Sequence, residues 1–416
     1  MAAPGRPPPF DGWRMVGVAF FAHLVSSGLG FYALPRLLVP LAEEFSGGDR
    51  AGVALLSAAM SLPGIVIGPL VGRSLTRFPL RTVMPVSAAF FALGFVAASY
   101  ANTLWQLAIV YATTVPLGVT ALGAIGANAL VGNWFERRRP FALGVAQFGL
   151  SIAGAVMPFF ISWTLAGGTW RTSYLWFAGI AAVSGLVLRF AIVERPADRG
   201  QHPDGGPPPP PAGDGAVAAA PALGFGAALR DPRLWYVGGA AGVAFAGTTG
   251  IVQNAHALFT DAGHSVPRAD TAMATVALGA ALGKLVFGAL GVRIGERATF
   301  ATALLAQAAS MAALPFCLSA YPVLLAAALV FGLALGGVMP ALTALLARIY
   351  GVAGFGPVLG YMAPMLVPFQ MLGAPLAAYT RDALGSYELA IYGFALTTAL
   401  AALALIPLRP AGPTVE

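Results

Sequence analysis

The sequence predicts an all-α membrane protein, with twelve transmembrane helices in two pseudo-symmetric six-helix bundles. Three observations carry that expectation. The 416 residues are 58% hydrophobic and 9% charged, with mean hydropathy +0.79, whereas a soluble domain is about 25% charged. Apolar runs of about eighteen residues or more recur along the chain, too long and too many for a buried core. A landmark also repeats: Gly72, Arg77 and Arg81 read G-x4-R-x3-R, as do Gly288, Arg293 and Arg297, 216 residues later. The same offset takes Gly144 to Gly360. Two duplicated halves explain the recurrence.

The elements follow in order. Six spans are expected at 14–40, 51–72, 82–100, 104–132, 141–165 and 172–193, and six more at 234–259, 269–292, 298–319, 322–348, 353–379 and 387–408. The apolar run after Trp13 is longer than a signal-peptide core, so the first helix is expected to be retained. Residues 1–195 form the first expected bundle, 196–228 a linker on the cytoplasmic side, and 229–416 the second. The stretch Ala197–Pro221 is rich in Pro and Gly and is expected to be extended and solvated.

Arginine placement sets the expected orientation. With the N-terminus in the cytoplasm, 17 of the 22 arginines fall on or near the inner side, including Arg73, Arg77, Arg81, Arg137, Arg138, Arg139, Arg293 and Arg297. Arg36, Arg50, Arg171, Arg268 and Arg381 fall outside. Both termini are then cytoplasmic, and the protein is a multi-pass resident of the cell membrane. This distribution accounts for a pI near 9.8 without nucleic acid as a partner. The single cysteine, Cys317, excludes an internal disulfide framework. No His/Cys cluster has metal-like spacing, and no convergent catalytic cluster marks an enzyme. No cofactor is expected, and a monomer in the bilayer is expected to function.

Asp11-Gly12-Trp13, Gly68-Pro69-Leu70-Val71-Gly72-Arg73, Trp134-Phe135-Glu136-Arg137-Arg138-Arg139 with Ala142-Leu143-Gly144, then Gly149, Gly154, Trp170-Arg171 and Gly385-Ser386-Tyr387 form a set of motifs. Together they resemble the major facilitator superfamily, in its monocarboxylate-transporter-like and oxalate/formate-antiporter-like branch. The resemblance spans nearly the whole chain outside the linker, and the WFERRR run is its most specific part. Thr76 and Val292 stand where the superfamily's loop motif usually has Asp, and Pro79 replaces a usual Gly.

Lys284, in LGKLVFG, is the only lysine of the chain. It lies about eight residues, roughly 12 Å, from the inner end of its helix. A charge near the bilayer centre costs about 2.5–3.5 kcal/mol on insertion scales. Either Lys284 snorkels or bonds neighbouring carbonyls, or it is an anion site. Leu278 and Leu285 exclude a phosphate-binding loop. The resemblance implies the anion site: Lys284 stands four residues before Gly288, where the branch usually has a substrate-binding Arg. Arg36 follows Pro35 at the outer end of the first helix. It matches a Pro-Lys pair that the resemblance ties to substrate and proton handling, and otherwise reads as an interfacial arginine. Gly30 and Gly250, as landmarks of the two halves, set His256 opposite Arg36.

His23, Asn254 and His256 are polar groups within spans, suited to proton relay or to interhelical hydrogen bonds. Tyr32, Gln147 and Tyr361 are expected cavity-liners by helix position. All sixteen acidic residues fall in loops, tails or helix ends, so no intramembrane carboxylate relay is expected and the cavity is expected to be electropositive. The position that holds Asp in the animal carriers is Ala280. The expected function is secondary transport of a small organic anion, a monocarboxylate, by alternating access, with a proton or counter-anion as the second solute. The alternative is an exporter of amphipathic or drug-like compounds. The loop arginines and Gly72 and Gly288 are expected to set topology and conformation.

Overall fold

The computed structural model describes residues 10–206 and 230–405. Helices run as α1 (Gly12–Phe45), α2 (Arg50–Leu75), α3 (Leu80–Ser99), α4 (Leu104–Trp134), α5 (Phe141–Ala166) and α6 (Trp170–Ala191). The second half holds α7 (Pro232–Asp261), α8 (Val266–Ile294), α9 (Glu296–Cys317), α10 (Tyr321–Gly351), α11 (352–384) and α12 (Glu388–Ala404). Among the described residues there is no strand. Nine of the helices are individually long and apolar enough to cross a membrane. Of the rest, α7 is diluted by Thr248, Thr249, Gln253, Asn254 and His256, and α12 is 17 residues long. The break between α10 and α11 is Gly351, at φ 75°, a left-handed conformation that costs glycine no Cβ clash. Successive helices reverse direction, so α1 begins and α12 ends on one face, the terminal face; the other is the far face.

One core gathers the buried apolar side chains of the first half, from Met15 to Ile192, with Ala257, Ala374 and Ala378 packed in from the second. Two smaller clusters fill the second half. Close approach of backbones fixes α8 on α10. A Cβ on Gly279 would lie 2.6 Å from the Leu329 carbonyl oxygen, and one on Gly283 would lie 2.1 Å from that of Leu333. Only glycine admits this contact.

Two motifs of the first half make contacts within their own bundle. The Trp134 indole N–H donates to the Val193 carbonyl at 2.9 Å. Trp170 and Arg171 both hold Glu44, through Nε1 at 2.6 Å and Nη2 at 2.7 Å. The start of the linker differs from the expected extended, solvated chain. Pro196–Arg199 and Pro203–Gly205 are short 3-10 turns folded against the first bundle. Asp204 accepts the backbone N–H groups of Glu136, Arg137 and Arg138 at 3.0, 2.7 and 3.2 Å. The backbone of the arginine-rich turn thus attracts a carboxylate that composition alone does not place. Residues 207–228 of the linker lie outside the described residues.

Candidate functional site

A cavity of about 300 Å³ lies between the halves. Helix α1 contributes Phe31 and Tyr32, and α5 contributes Leu150, Ser151 and Gly154. Helices α7, α8, α10 and α11 supply the opposite wall, including Phe245, Thr248, Ala277, Ala280, Lys284, Phe331 and Gln370. Phe31 and Tyr32 enter it from a π-helical turn, Gly28–Tyr32. That turn packs so closely on α4 that a Cβ on Gly30 would lie 2.2 Å from Val119 Cγ2. Such turns re-aim side chains within a helix and concentrate at functional sites. On α8, Ala277, Ala280 and Lys284 share one face at i, i+3 and i+7, while Gly279 and Gly283 face α10.

Lys284 Nζ donates to Ser151 Oγ across the two halves at 3.2 Å. Among the described residues no carboxylate pairs with Lys284. Tyr32 lines the same cavity. Gln147, one helical turn from Ser151, donates to Asn128 Oδ1 at 3.4 Å, and that oxygen lies 3.2 Å from His23 Nε2. His23, Asn128 and Gln147 therefore form a polar track on the terminal side of Lys284, outside the cavity wall itself. Asn254 donates to the carbonyls of Gly250 and Ala374 at 2.9 and 3.2 Å, which joins α7 to α11. Tyr361 packs beside the apolar cluster of the second half and does not line the cavity.

Arg36 and His256 do come together, though not in this cavity. Both adjoin Asp270, whose Oδ1 lies 3.8 Å from Arg36 Nε and 3.4 Å from His256 Nε2. Arg36 Nε also donates to Ser162 Oγ at 2.9 Å, and the Ser162 hydroxyl donates to Asp270. Asp270 is 1% exposed and His256 2%. The sequence expectation of no carboxylate inside the bundle is thereby corrected. Asp270 sits near the start of α8, where position alone reads as a helix end. Arg36, Ser162 and His256, from α1, α5 and α7, close over it. Arg36 is consequently a paired charge rather than a second open cation.

A second polar seam crosses the halves at the far face. The Arg50 guanidinium makes a bidentate contact with Asp261, at 2.6 and 2.8 Å, and donates to Tyr387 Oη at 2.7 Å. Arg381 Nε reaches the same carboxylate at 3.2 Å. Partial burial raises the Asp261 pKa, but the two arginines outweigh it and hold the carboxyl below its ordinary range. Asp382 accepts the backbone N–H groups of Arg50 and Ala51 at 2.8 and 2.7 Å. A carboxylate on α11 thus caps the N-terminus of α2 in the other half, where the helix dipole favours negative charge. Neither partner was legible as a pair, because more than two hundred residues separate Arg50 from Asp261. Gly72 and Gly288 have open space around them, and the loop arginines lie at the terminal face.

Comparison with known proteins places this architecture. The profile described as Major Facilitator Superfamily matches residues 17–260 and 242–416. Human monocarboxylate transporter 14 is 28% identical over 202 residues, 47% of this chain and 38% of that protein. Rat monocarboxylate transporter 3 is 31% identical over 198 residues, 44% of this chain and 38% of that protein. The aligned segments thus span less than half the length of these relatives. The crystal structure of a bacterial homologue of the human lysosomal transporter Spinster, inward-facing and unoccupied, superposes with a TM-score of 0.69 at 15% identity, over 96% of both chains. The chain belongs to the Major Facilitator Superfamily, and over part of its length it is similar to monocarboxylate transporters.

Proposed function

We propose that the protein is a secondary transporter that moves a small organic anion, a monocarboxylate, across the cell membrane by alternating access. The observation that carries this reading is Lys284: a cation in the wall of an inter-half cavity, bonded to a neutral hydroxyl. A carboxylate entering the cavity gives Lys284 the charge-assisted hydrogen bonds that Ser151 alone does not supply. Because Lys284 belongs to one half and Ser151 to the other, the bound anion contacts both halves and biases their rocking.

Two features support assigning the terminal face as the open side of this conformer. The Arg36–Asp270 and Arg50–Asp261 contacts both tie the halves at the far face. On α2 and α11, Cβ atoms added at Gly64, Gly68, Gly72 or Gly360 meet nothing within 4 Å. With both termini cytoplasmic this is an inward-open state, the state named for the Spinster homologue. A co-transported proton is assigned to Asp270, which faces Arg36, Ser162 and His256. Neutralising that carboxyl weakens its hold on Arg36 and releases the far-face seam. The relatives' names support the substrate class.

The apolar lining of the cavity favours a second reading, export of amphipathic compounds, in which substrate charge is immaterial. Uptake of labelled monocarboxylates into liposomes holding the purified protein separates the two. Saturable uptake that fails in Lys284→Gln supports the anion reading. Full uptake by that variant removes it.

A further inference from the structure

The cavity itself narrows the substrate beyond its charge. Around Lys284 the wall is aromatic and aliphatic: Phe31, Tyr32, Phe245, Phe259, Met273 and Phe331 all face it. Its hydroxyl and amide groups are partly engaged within the protein. Thr249 Oγ1 lies 3.0, 3.1 and 3.2 Å from the carbonyl oxygens of Phe245, Ala246 and Gln370, which share its one O–H. Thr248 Oγ1 accepts from Gln307 Nε2 at 2.8 Å. Among the described residues Lys284 is the single charged group in the wall; Arg36 is engaged by Asp270 and lies outside the lining.

Size adds a second constraint. A volume of about 300 Å³ lies at the lower end of the ~300–1,000 Å³ of pockets that take drug-sized ligands. A three-carbon acid is smaller than such a ligand and leaves much of the aromatic wall against water. A dicarboxylate brings a second charge with no cation to meet it, and burying an unpaired charge is costly.

We infer that the substrate is a monocarboxylate with a substantial apolar body, an aryl or medium-chain alkyl acid. Its carboxylate meets Lys284 and Ser151, and its body lies against Phe31, Phe245 and Phe331. This inference rests on the anion reading above and specifies the part of the substrate that Lys284 does not touch. Apolar transfer favours each buried methylene by about 0.8 kcal/mol, which corresponds to about a fourfold gain in affinity.

The test is a competition series in liposomes containing the full-length protein. Unlabelled straight-chain acids from acetate to octanoate, benzoate, phenylpropionate, malonate and succinate compete against uptake of labelled hexanoate and labelled pyruvate. The expected result is an inhibitory concentration that falls about fourfold per added methylene until the cavity is full, then levels or rises. Phenylpropionate competes well and the dicarboxylates poorly. Two variants separate cavity fit from general lipophilicity. Ala280→Leu narrows the cavity and shifts the best chain length down; Phe331→Ala widens it and shifts the best length up. Equal or better competition by acetate or succinate overturns the inference while leaving the anion reading standing. A chain-length optimum that stays fixed in both variants also overturns it. Absence of uptake for every acid, with neutral lipophiles transported instead, overturns the anion reading itself and this inference with it.

Discussion

Two regions place charge deep between the halves, and they treat it oppositely. At the far-face seam each buried cation has a carboxylate: Arg36 meets Asp270, and Arg50 meets Asp261. In the central cavity Lys284 has a serine. Buried charge is tolerated when it is paired, so the seam carries its charges as pairs and ties the halves together. Under the proposed function the cavity is left one negative charge short, and the comparison separates charges that fasten from a charge proposed to recognise.

The strongest way to break the contrast is at the seam. Asp270→Asn leaves Arg36 buried without its counter-ion, a loss of about 3–5 kcal/mol when one partner of a buried pair is removed. Distance measurements between spin labels on α2 and α11 should show the sealed far face giving way. The double replacement Arg36→Leu with Asp270→Leu should recover most of the stability, since two apolar side chains replace a pair rather than orphaning one member. If the single and double replacements melt alike, the contact does not fasten the halves.

Next in size is the cavity. Lys284→Gln removes a charge-assisted hydrogen bond worth about 1.5–3 kcal/mol, so carboxylate affinity should fall about 10- to 100-fold while the melting temperature holds or rises. A large fall in melting temperature would instead mark Lys284 as a fastening charge like Arg36. Lys284→Arg should retain binding, because it keeps the cation and adds a bidentate fork.

Arg50→Gln should act more weakly than Asp270→Asn, since Asp261 is one-third exposed and solvent screens the pair. About 1 kcal/mol is expected, read as a modest shift towards the far-face-open conformer. Asp204 should have the smallest effect, and on stability only. Partial burial raises its pKa, but the three N–H groups outweigh this and hold the carboxyl below the ordinary aspartate value. A depressed folded pKa means that this stabilisation is present above about pH 4 and is lost as the pH falls through the folded value. Asp204→Ala should flatten that acid limb of the melting curve and leave uptake unchanged.

The helices and Lys284 were legible because both rest on short-range signals. Apolar runs declare spans, and one lysine in 416 residues is conspicuous within one. Asp270 was not legible, because its burial is produced by Arg36, Ser162 and His256, which come from three other helices. Asn254 shows how a polar side chain in an apolar helix also serves packing: its amide N–H donates to the Ala374 carbonyl of α11, while its Oδ1 is buried without a hydrogen-bond partner. Arg36 combined both problems: its position was marked by Pro35, but its charge is answered by a residue 234 positions away. Sequence locates unusual residues; only the packing reveals which of them are already satisfied.

The most direct measurement compares a carboxylate with its neutral isostere in the same cavity. Phenylpropionate and phenylpropionamide have nearly the same shape and apolar body and differ in charge. Each would be titrated against the purified wild-type protein and against Lys284→Gln, with binding followed by calorimetry. The acid should bind at least about tenfold more tightly than the amide to the wild type, and the difference should vanish in the variant. Equal binding of acid and amide to the wild type would contradict the account, because Lys284 would then recognise nothing.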